Sequence, residues 1–221
     1  YDLFEEIIDS YPWSFCQIQL NYLDTKYQAG LKGLFYAADR NIDVIIMEPL
    51  RGGKLAEKIP AEVQNLFAKS KVKKTPAEWA LNWLWDFPQI KVVLSGMSNM
   101  AQLKENIETA DKARPDSIRL EDKGLYKKAK LIFDEKMQVN CTGCRYCLPC
   151  PKSLNIPRLL DLFNNVYLFD QLQESKEIYF KHIDEDKQAS NCVKCRECEV
   201  KCPQNIEIAA TMDKIRQLFG N

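Results

Sequence analysis

The sequence predicts an α/β region of three β/α units, followed by an all-α region. Short apolar runs alternate three times with stretches of helical periodicity, as expected for parallel strands that helices cover on both faces. Beyond Leu94 no stretch has the pattern of a strand, and eight of the nine cysteines lie in two tight groups near the end. We therefore expect a first domain at 1–115, a connecting helix at 116–138 and a second domain at 139–221.

The elements of the first domain follow in a regular order. A helix over residues 2–9 comes first, and the predicted strands cover 14–20, 43–47 and 91–96. Thr75-Pro76-Ala77-Glu78 is a capping box with proline at the first helical position, so a helix begins there. Ser98 or Asn99 caps the helix after the third strand.

Three strands leave a sheet with two open edges. We expect the edges to be covered by sequence outside this chain, by a partner or by self-association. The chain starts with Tyr1, inside what reads as a helix, so we expect the natural N-terminus to lie elsewhere.

The second half lacks strands and reads as helices around the cysteines. We predict a helix over 120–137, one amphipathic helical stretch over 156–179 and a closing helix from about 206 to 219, with Gly220 past its end.

Composition excludes several classes of function. The 31 basic and 31 acidic residues balance, which argues against a nucleic-acid partner. No apolar run approaches the roughly 20 residues of a membrane span, and no signal peptide is evident. Clustered rather than dispersed cysteines indicate metal binding in a cytoplasmic protein, not a disulfide framework.

The cysteines form two motifs, C-T-G-C-R-Y-C-L-P-C-P from Cys141 and C-V-K-C-R-E-C-E-V-K-C-P from Cys192. The second has the spacing of bacterial ferredoxins, and the first is one residue shorter before its last cysteine. Three closely spaced thiolates can hold three corners of one 4Fe-4S cluster, and the Cys-Pro step then turns the chain away.

In two-cluster ferredoxins the fourth cysteine of each motif binds the other cluster. We accordingly predict one cluster on Cys141, Cys144, Cys147 and Cys202, and a second on Cys192, Cys195, Cys198 and Cys150. The alternative is a pair of structural zinc sites, although zinc usually joins two cysteines to two distant ones. With a helical pattern between the motifs, this region resembles the α-helical ferredoxin-like domains.

Three stretches of the first half belong together by order and spacing. They are F-C-Q-I-Q-L-N-Y from Phe15, I-M-E-P-L-R-G-G-K-L from Ile46 and L-S-G-M-S-N-M-A-Q-L-K-E-N-I from Leu94. They resemble strands six, seven and eight of an aldo/keto reductase, with the segments that follow each strand. The resemblance implies the C-terminal three β/α units of a TIM-type barrel, which is incomplete here.

The same resemblance implies contacts to a nicotinamide cofactor, NAD(P)(H). The matching positions are Gln17, Pro49, Leu50, Gly52, Gly53, Gly96, Met97, Ser98, Gln102, Glu105 and Asn106. NADP-specific members often carry basic groups where this chain has Gly96 and Gln102, so the choice between NAD and NADP stays open. Met47 stands where the family often stacks an aromatic ring on the nicotinamide.

The family's catalytic Asp, Tyr, Lys and His lie on its first four strands, and nothing in this sequence matches that region. We expect no catalytic residue here; His182 reads as a surface histidine and Cys16 as an inert packing residue. The resemblances together imply an iron–sulfur oxidoreductase that couples a nicotinamide-binding barrel to two 4Fe-4S clusters and a one-electron redox partner. The alternative is an electron-transfer module whose barrel portion is only a scaffold.

Overall fold

A computed structural model describes residues 1–57, 59–141 and 143–220. The chain forms two compact units, Tyr1–Phe133 and the region from Asp134 onward. The first unit contains α1 (Asp2–Asp9), β1 (Phe15–Gln19), α2 (Gly30–Ala38), β2 (Asp43–Met47), α3 (Lys54–Glu57), α4 (Ala61–Phe67), α5 (Pro76–Trp85), β3 (Ile90–Val93), α6 (Met100–Lys112) and most of α7 (Leu120–Lys136). The second contains α8 (Ile156–Leu168), α9 (Leu172–His182), two short 3₁₀ turns (Glu185–Lys187, Ala189–Asn191), α10 (Glu197–Val200) and α11 (Ile208–Phe219).

The three strands form one parallel sheet in the order β1-β2-β3. The pairing of Phe15 with Asp43 sets the register of β1 on β2, and Val44 of β2 pairs with Ile90 of β3. Val44 and Ile46 of the central strand are fully buried. The predicted fold class, parallel β/α units followed by a helical region, is confirmed.

Local sequence signals explain where two helices of the first unit begin. At α5 the Glu78 amide donates to Thr75 Oγ1 at 3.1 Å, and the Thr75 amide donates to Glu78 Oε2 at 2.7 Å. The predicted capping box is therefore confirmed. At α6 the cap is Asn99 rather than Ser98, because the Gln102 amide donates to Asn99 Oδ1 at 3.0 Å.

An aromatic cluster joins α4, α5 and α7 in the first unit. The rings of Trp79 and Phe67 stack with centroids 4.3 Å apart, and Tyr126 meets Trp79 edge-on at 5.1 Å. The Tyr126 hydroxyl donates to the Trp79 carbonyl at 2.7 Å, and burial raises its pKa. These contacts tie α7 to the first unit as far as Phe133, whose ring lies 6.4 Å from that of Tyr22. The three-part division at residues 115 and 138 stays a prediction.

The structure differs from the sequence-based expectations in two places. The segment after Gly53 contains α3 and α4, neither of which was predicted. The amphipathic stretch expected over 156–179 is two helices, because Asp170 adopts a left-handed backbone with φ of 53° and interrupts the helical hydrogen bonding.

The core of the second unit lies between α8, α9 and α11, with Leu159, Phe163, Tyr179 and Ile215 among its buried side chains. The side chain of Asn164 ties the segment before the first cysteine motif to this core. Asn164 Oδ1 accepts from the amides of Gln138 and Val139 at 3.1 and 3.0 Å, and Asn164 Nδ2 donates to the Val139 carbonyl at 2.8 Å. Across the residues described, none of the helices has the length and apolar character that a membrane span requires.

We expect Trp79→Ala to destabilise the first unit by about 3–5 kcal/mol, because it removes a side chain only 1% exposed from the centre of the aromatic cluster. All four tryptophans lie in the first unit, so denaturant unfolding followed by tryptophan fluorescence reports on that unit alone. Trp13→Ala, at a site 40% exposed, is the matched control and should cost about 1 kcal/mol. Equal losses for the two variants would contradict the central place of Trp79 in this cluster.

Candidate functional site

The two cysteine motifs share one backbone conformation. We call Cys144 and Cys195, the second cysteine of each motif, the central cysteines. The residue before the central cysteine has a left-handed backbone in both motifs, with φ of 67° at Gly143 and 56° at Lys194. The residue after it is also left-handed, with φ of 67° at Arg145 and 61° at Arg196. Successive amides in such turns form concavities that bind anions, including the sulfur atoms of iron–sulfur sites. The Gly143 amide already donates to Cys141 Sγ at 3.5 Å.

The resemblance between the motifs continues past each fourth cysteine. The Ser153 amide donates to the Cys150 carbonyl at 2.8 Å, and the Asn205 amide donates to the Cys202 carbonyl at 3.1 Å. Ser153 and Asn205 are again left-handed, with φ of 54° and 51°. The helices α8 and α11 begin shortly after these turns. The second unit thus contains the same cysteine turn and following helix twice.

Eight thiols line two cavities of the second unit. One cavity is lined by Cys141, Cys144, Cys147 and Cys202. The other is lined by Cys150, Cys192, Cys195 and Cys198, and Cys147 lines this cavity as well. The structure therefore brings the thiols together in the two sets that the exchange of fourth cysteines requires. The assignment of those sets as cluster ligands stays a prediction.

The environment of these thiols suits iron–sulfur clusters. Six of the cysteines pack against the hydrophobic core of the second unit. Burial raises the pKa of Cys141 and Cys147, and it raises the pKa of Cys198 to about 11. Iron displaces such protons because a coordinating thiol is deprotonated outright.

A single-ion site is a different arrangement from a cluster site. Over the residues with described coordinates, no three His, Cys, Asp or Glu side chains are arranged to hold one metal ion. In a 4Fe-4S cubane each thiolate binds a different iron, so the relevant fit is that of four thiols around one cavity.

The first unit contains a cleft of about 760 Å³ beyond the ends of β2 and β3. Nine of the eleven positions predicted to contact a nicotinamide cofactor line it: Pro49, Leu50, Gly52, Gly53, Gly96, Met97, Gln102, Glu105 and Asn106. Two do not. Gln17 Nε2 instead lies 3.3 Å from Met47 Sδ, and the backbone amide of Ser98 donates to Gln102 Oε1 at 2.9 Å.

The model of the Aldo/keto reductase family matches residues 4–117, more than half of the chain. The chain belongs to the aldo/keto reductase family. The model of the 4Fe-4S dicluster domain matches residues 140–207. The aldo/keto reductase region is therefore followed by a region similar to 4Fe-4S dicluster domains.

Among solved structures the chain is similar to an aldo-keto reductase from Bacillus halodurans in its holo and apo forms. Both are 16% identical to it, with TM-scores of 0.47 and 0.46, and the matches cover 58% of this chain. The chain spans 46% and 47% of the lengths of those two, less than half of each. No curated protein matches it.

Several lining residues of this reductase cleft were not predicted from the sequence. Gln102 Nε2 donates to Glu57 Oε1 at 3.4 Å, which places a carboxylate of the unpredicted α3 at the cleft wall. The Thr75 hydroxyl makes a short hydrogen bond with Glu105, although the capping pattern indicated only a helix start for Thr75. Glu48, the residue after β2, also lines the cleft and is left-handed with φ of 54°.

His182 and Cys16, for which we expected no functional role, line neither the cleft nor the two cysteine cavities. His182 ends α9 and is exposed, as expected for a surface histidine. Cys16 lies on β1, half-buried, and burial raises the pKa of its thiol to about 11. It lines neither the cleft nor a cysteine cavity.

Two double variants test the exchanged ligand sets. We expect Cys150→Ser/Cys195→Ser to keep one intact 4Fe-4S cluster, because both thiols line the same cavity. We expect Cys150→Ser/Cys144→Ser to leave neither cluster with four thiolates. Iron, acid-labile sulfide and the electron paramagnetic resonance signal of the reduced protein, after anaerobic reconstitution, distinguish the two.

Cys16→Ser is the control and should retain both clusters. The opposite pattern in the double variants would show that each motif binds its own cluster without exchange. Zinc in place of iron, with no acid-labile sulfide, would show structural zinc sites instead.

Proposed function

We propose that this chain relays electrons between a nicotinamide cofactor and a one-electron partner through two 4Fe-4S clusters. The observation that carries the proposal is the partition of eight thiols between two cavities that adjoin, since Cys147 and Ile208 line both. Clusters held there would lie close enough together to exchange electrons. When bound, each cluster accepts or releases one electron, whereas a nicotinamide transfers two as hydride.

The residues that would hold the clusters are the four thiols of each cavity. The left-handed turns beside Cys144 and Cys195 would orient backbone amides towards sulfur. Such hydrogen bonds, together with the apolar surroundings of the thiols, tune the reduction potentials of clusters. The two central thiols, Cys144 and Cys195, are exposed. Each proposed cluster would therefore have one edge near the protein surface.

The cleft of the first unit would bind the nicotinamide cofactor. The turn at Gly52 and Gly53 follows β2, and the capped N-terminus of α6 follows β3, so backbone amides from both can meet phosphate groups. Asn106 Nδ2 donates to Ser95 Oγ at 3.1 Å and so holds this end of the cleft in place. The residue roles follow the family resemblance and are part of the proposal.

The charges of the cleft favour NAD(H) over NADP(H). Among the lining residues that the structure describes, the charged ones are Glu48, Glu57 and Glu105. Carboxylates bind the free 2′-hydroxyl of NAD, whereas NADP-binding sites use basic groups for the 2′-phosphate. Glu57 lies against Gln102, one of the positions matched to the ribose phosphate, and would repel that group.

We expect NADH to bind at least about tenfold more tightly than NADPH, a difference of about 1.4 kcal/mol. Glu57→Lys should narrow or reverse the preference, and Glu108→Lys, an exposed position of α6 outside the cleft, should leave it unchanged. Quenching of tryptophan fluorescence measures both affinities. Binding of neither cofactor would favour the alternative, an electron-transfer module in which the reductase portion is only a scaffold.

We infer that this chain alone does not reduce carbonyl compounds. By the family resemblance the catalytic Asp, Tyr, Lys and His lie on strands that none of its matching stretches includes. Assays of NADH and NADPH oxidation with a panel of aldehydes and ketones should therefore show no turnover above the rate without protein. Turnover by a preparation with confirmed cofactor binding would refute this inference.

A further inference from the structure

The two cysteine cavities differ in the charges on their rims. Around the cavity of Cys192, Cys195 and Cys198, the rim cations are Lys152, Lys194, Arg196 and Lys201, and the only rim carboxylate among the described lining residues is Glu197. Around the other cavity the single charged lining residue described is Arg145. All four cations of the first rim are exposed. We call this group of four the basic rim.

Two cations of the basic rim form ion pairs with carboxylates that are less exposed than themselves. Lys194 Nζ lies 2.7 Å from Asp213 Oδ2. Arg196 Nε lies 4.0 Å from Glu199 Oε2, and the other oxygen of Glu199 accepts from the Ala209 amide at 2.8 Å. Asp213 belongs to α11 and Glu199 is hydrogen-bonded to it, and both carboxylates are less exposed than the cations they meet. The cationic groups are therefore the outer members of both pairs.

The other two members leave their charge available. Within the described part of the chain, neither the Lys152 nor the Lys201 side chain has an ion-pair or hydrogen-bond partner, and both residues are exposed. Lys201 lies between the third and fourth cysteines of the second motif, a segment that contains no lysine or arginine in the first motif.

Apolar side chains stand beside these cations. Val193 is 57% exposed and Val200 is 89% exposed. Val193 lines the same cavity as the exposed Cys195, and Val200 precedes Lys201 in the chain. A small apolar surface with a charged border is typical of a protein-binding site rather than of a solvated charged surface.

We propose that the basic rim, with Val193 and Val200, is the docking surface for an acidic one-electron carrier protein. This proposal rests on the proposed electron-relay function and adds which cluster faces the partner. A reduced cluster held by the thiols of this cavity would give one electron to the oxidised carrier and so be oxidised itself; the reverse reaction would exchange the roles. Opposite charge steers such a partner and accelerates association by about 10- to 1,000-fold at low ionic strength.

The test uses the full chain with clusters reconstituted anaerobically and an acidic flavodoxin as the probe. Dissociation constants from calorimetric titration are measured between low and high salt, alongside the electron-transfer rate by stopped flow. We expect Lys152→Glu/Lys201→Glu to weaken binding at low salt by at least about tenfold, with the difference vanishing near 1 M salt, where charges are screened within about 3 Å. Lys152→Gln/Lys201→Gln should give an intermediate loss.

The control is Lys181→Glu/Lys214→Glu, which makes the same change of charge at exposed lysines that line neither cysteine cavity. It should bind flavodoxin within about twofold of the unchanged chain. Because Lys201 adjoins Cys202, iron and sulfide are measured in every variant, and Lys152→Glu alone should still weaken binding about threefold.

The outcomes separate the docking surface from the relay function. If clusters assemble and accept electrons from dithionite but flavodoxin binding is insensitive to salt and to the rim variants, the docking surface is wrong and the relay stands. If the unchanged chain assembles no clusters, the relay and the docking surface both fail. Binding of a single-stranded oligonucleotide or anionic vesicles through Lys152 and Lys201, without binding of flavodoxin, would also overturn the proposal.

Discussion

The placement of Cys150 and Cys202 is the constraint on which the second unit depends. Each is the fourth cysteine of one motif but lines the cavity of the other motif, so neither cavity is complete until both ends of the unit have folded together. The shared core of α8, α9 and α11 holds the two ends together, because cysteines of both motifs pack against it. Metal bound in such cavities contributes its binding free energy to folding, because the sites do not exist in the unfolded chain. Electron transfer and stability would therefore depend on the same eight thiols.

The two motifs share the backbone conformation around their thiols and differ in the segment before the fourth cysteine. Both motifs keep the left-handed residues around the central cysteine and the turn after the fourth. They differ in that the second motif has one more residue between its third and fourth cysteines and forms α10, which contains its third cysteine. The cation Lys201 and the exposed Val200 lie in or directly after that helix. One backbone geometry at the thiols is thus combined with two surfaces of different charge.

Much of the fold and part of the site could be predicted, and the reasons differ from one element to another. β2 was predicted with its observed bounds, since a buried parallel strand is a continuous apolar run, and the capping box of α5 is a local signal. The short helices α3 and α4 have no such signal; their buried Leu55, Val63 and Phe67 are stabilised by tertiary contacts. Glu57 and Thr75 enter the cleft for the same reason, because only the fold brings them beside Gln102 and Glu105.

Net charge was the weakest guide to function in this chain. A sum of zero indicates no strong attraction to a polyanion as a whole, yet it averages over surfaces that differ in sign. Carboxylates supply the described charged groups of the cleft in the first unit, while cations surround one cysteine cavity in the second. Steering acts over about one Debye length, roughly 8 Å at physiological salt, so a partner responds to the nearest rim rather than to the sum. The two proposed ligands, a dinucleotide without a 2′-phosphate and an acidic protein, each match the sign of one of these local fields.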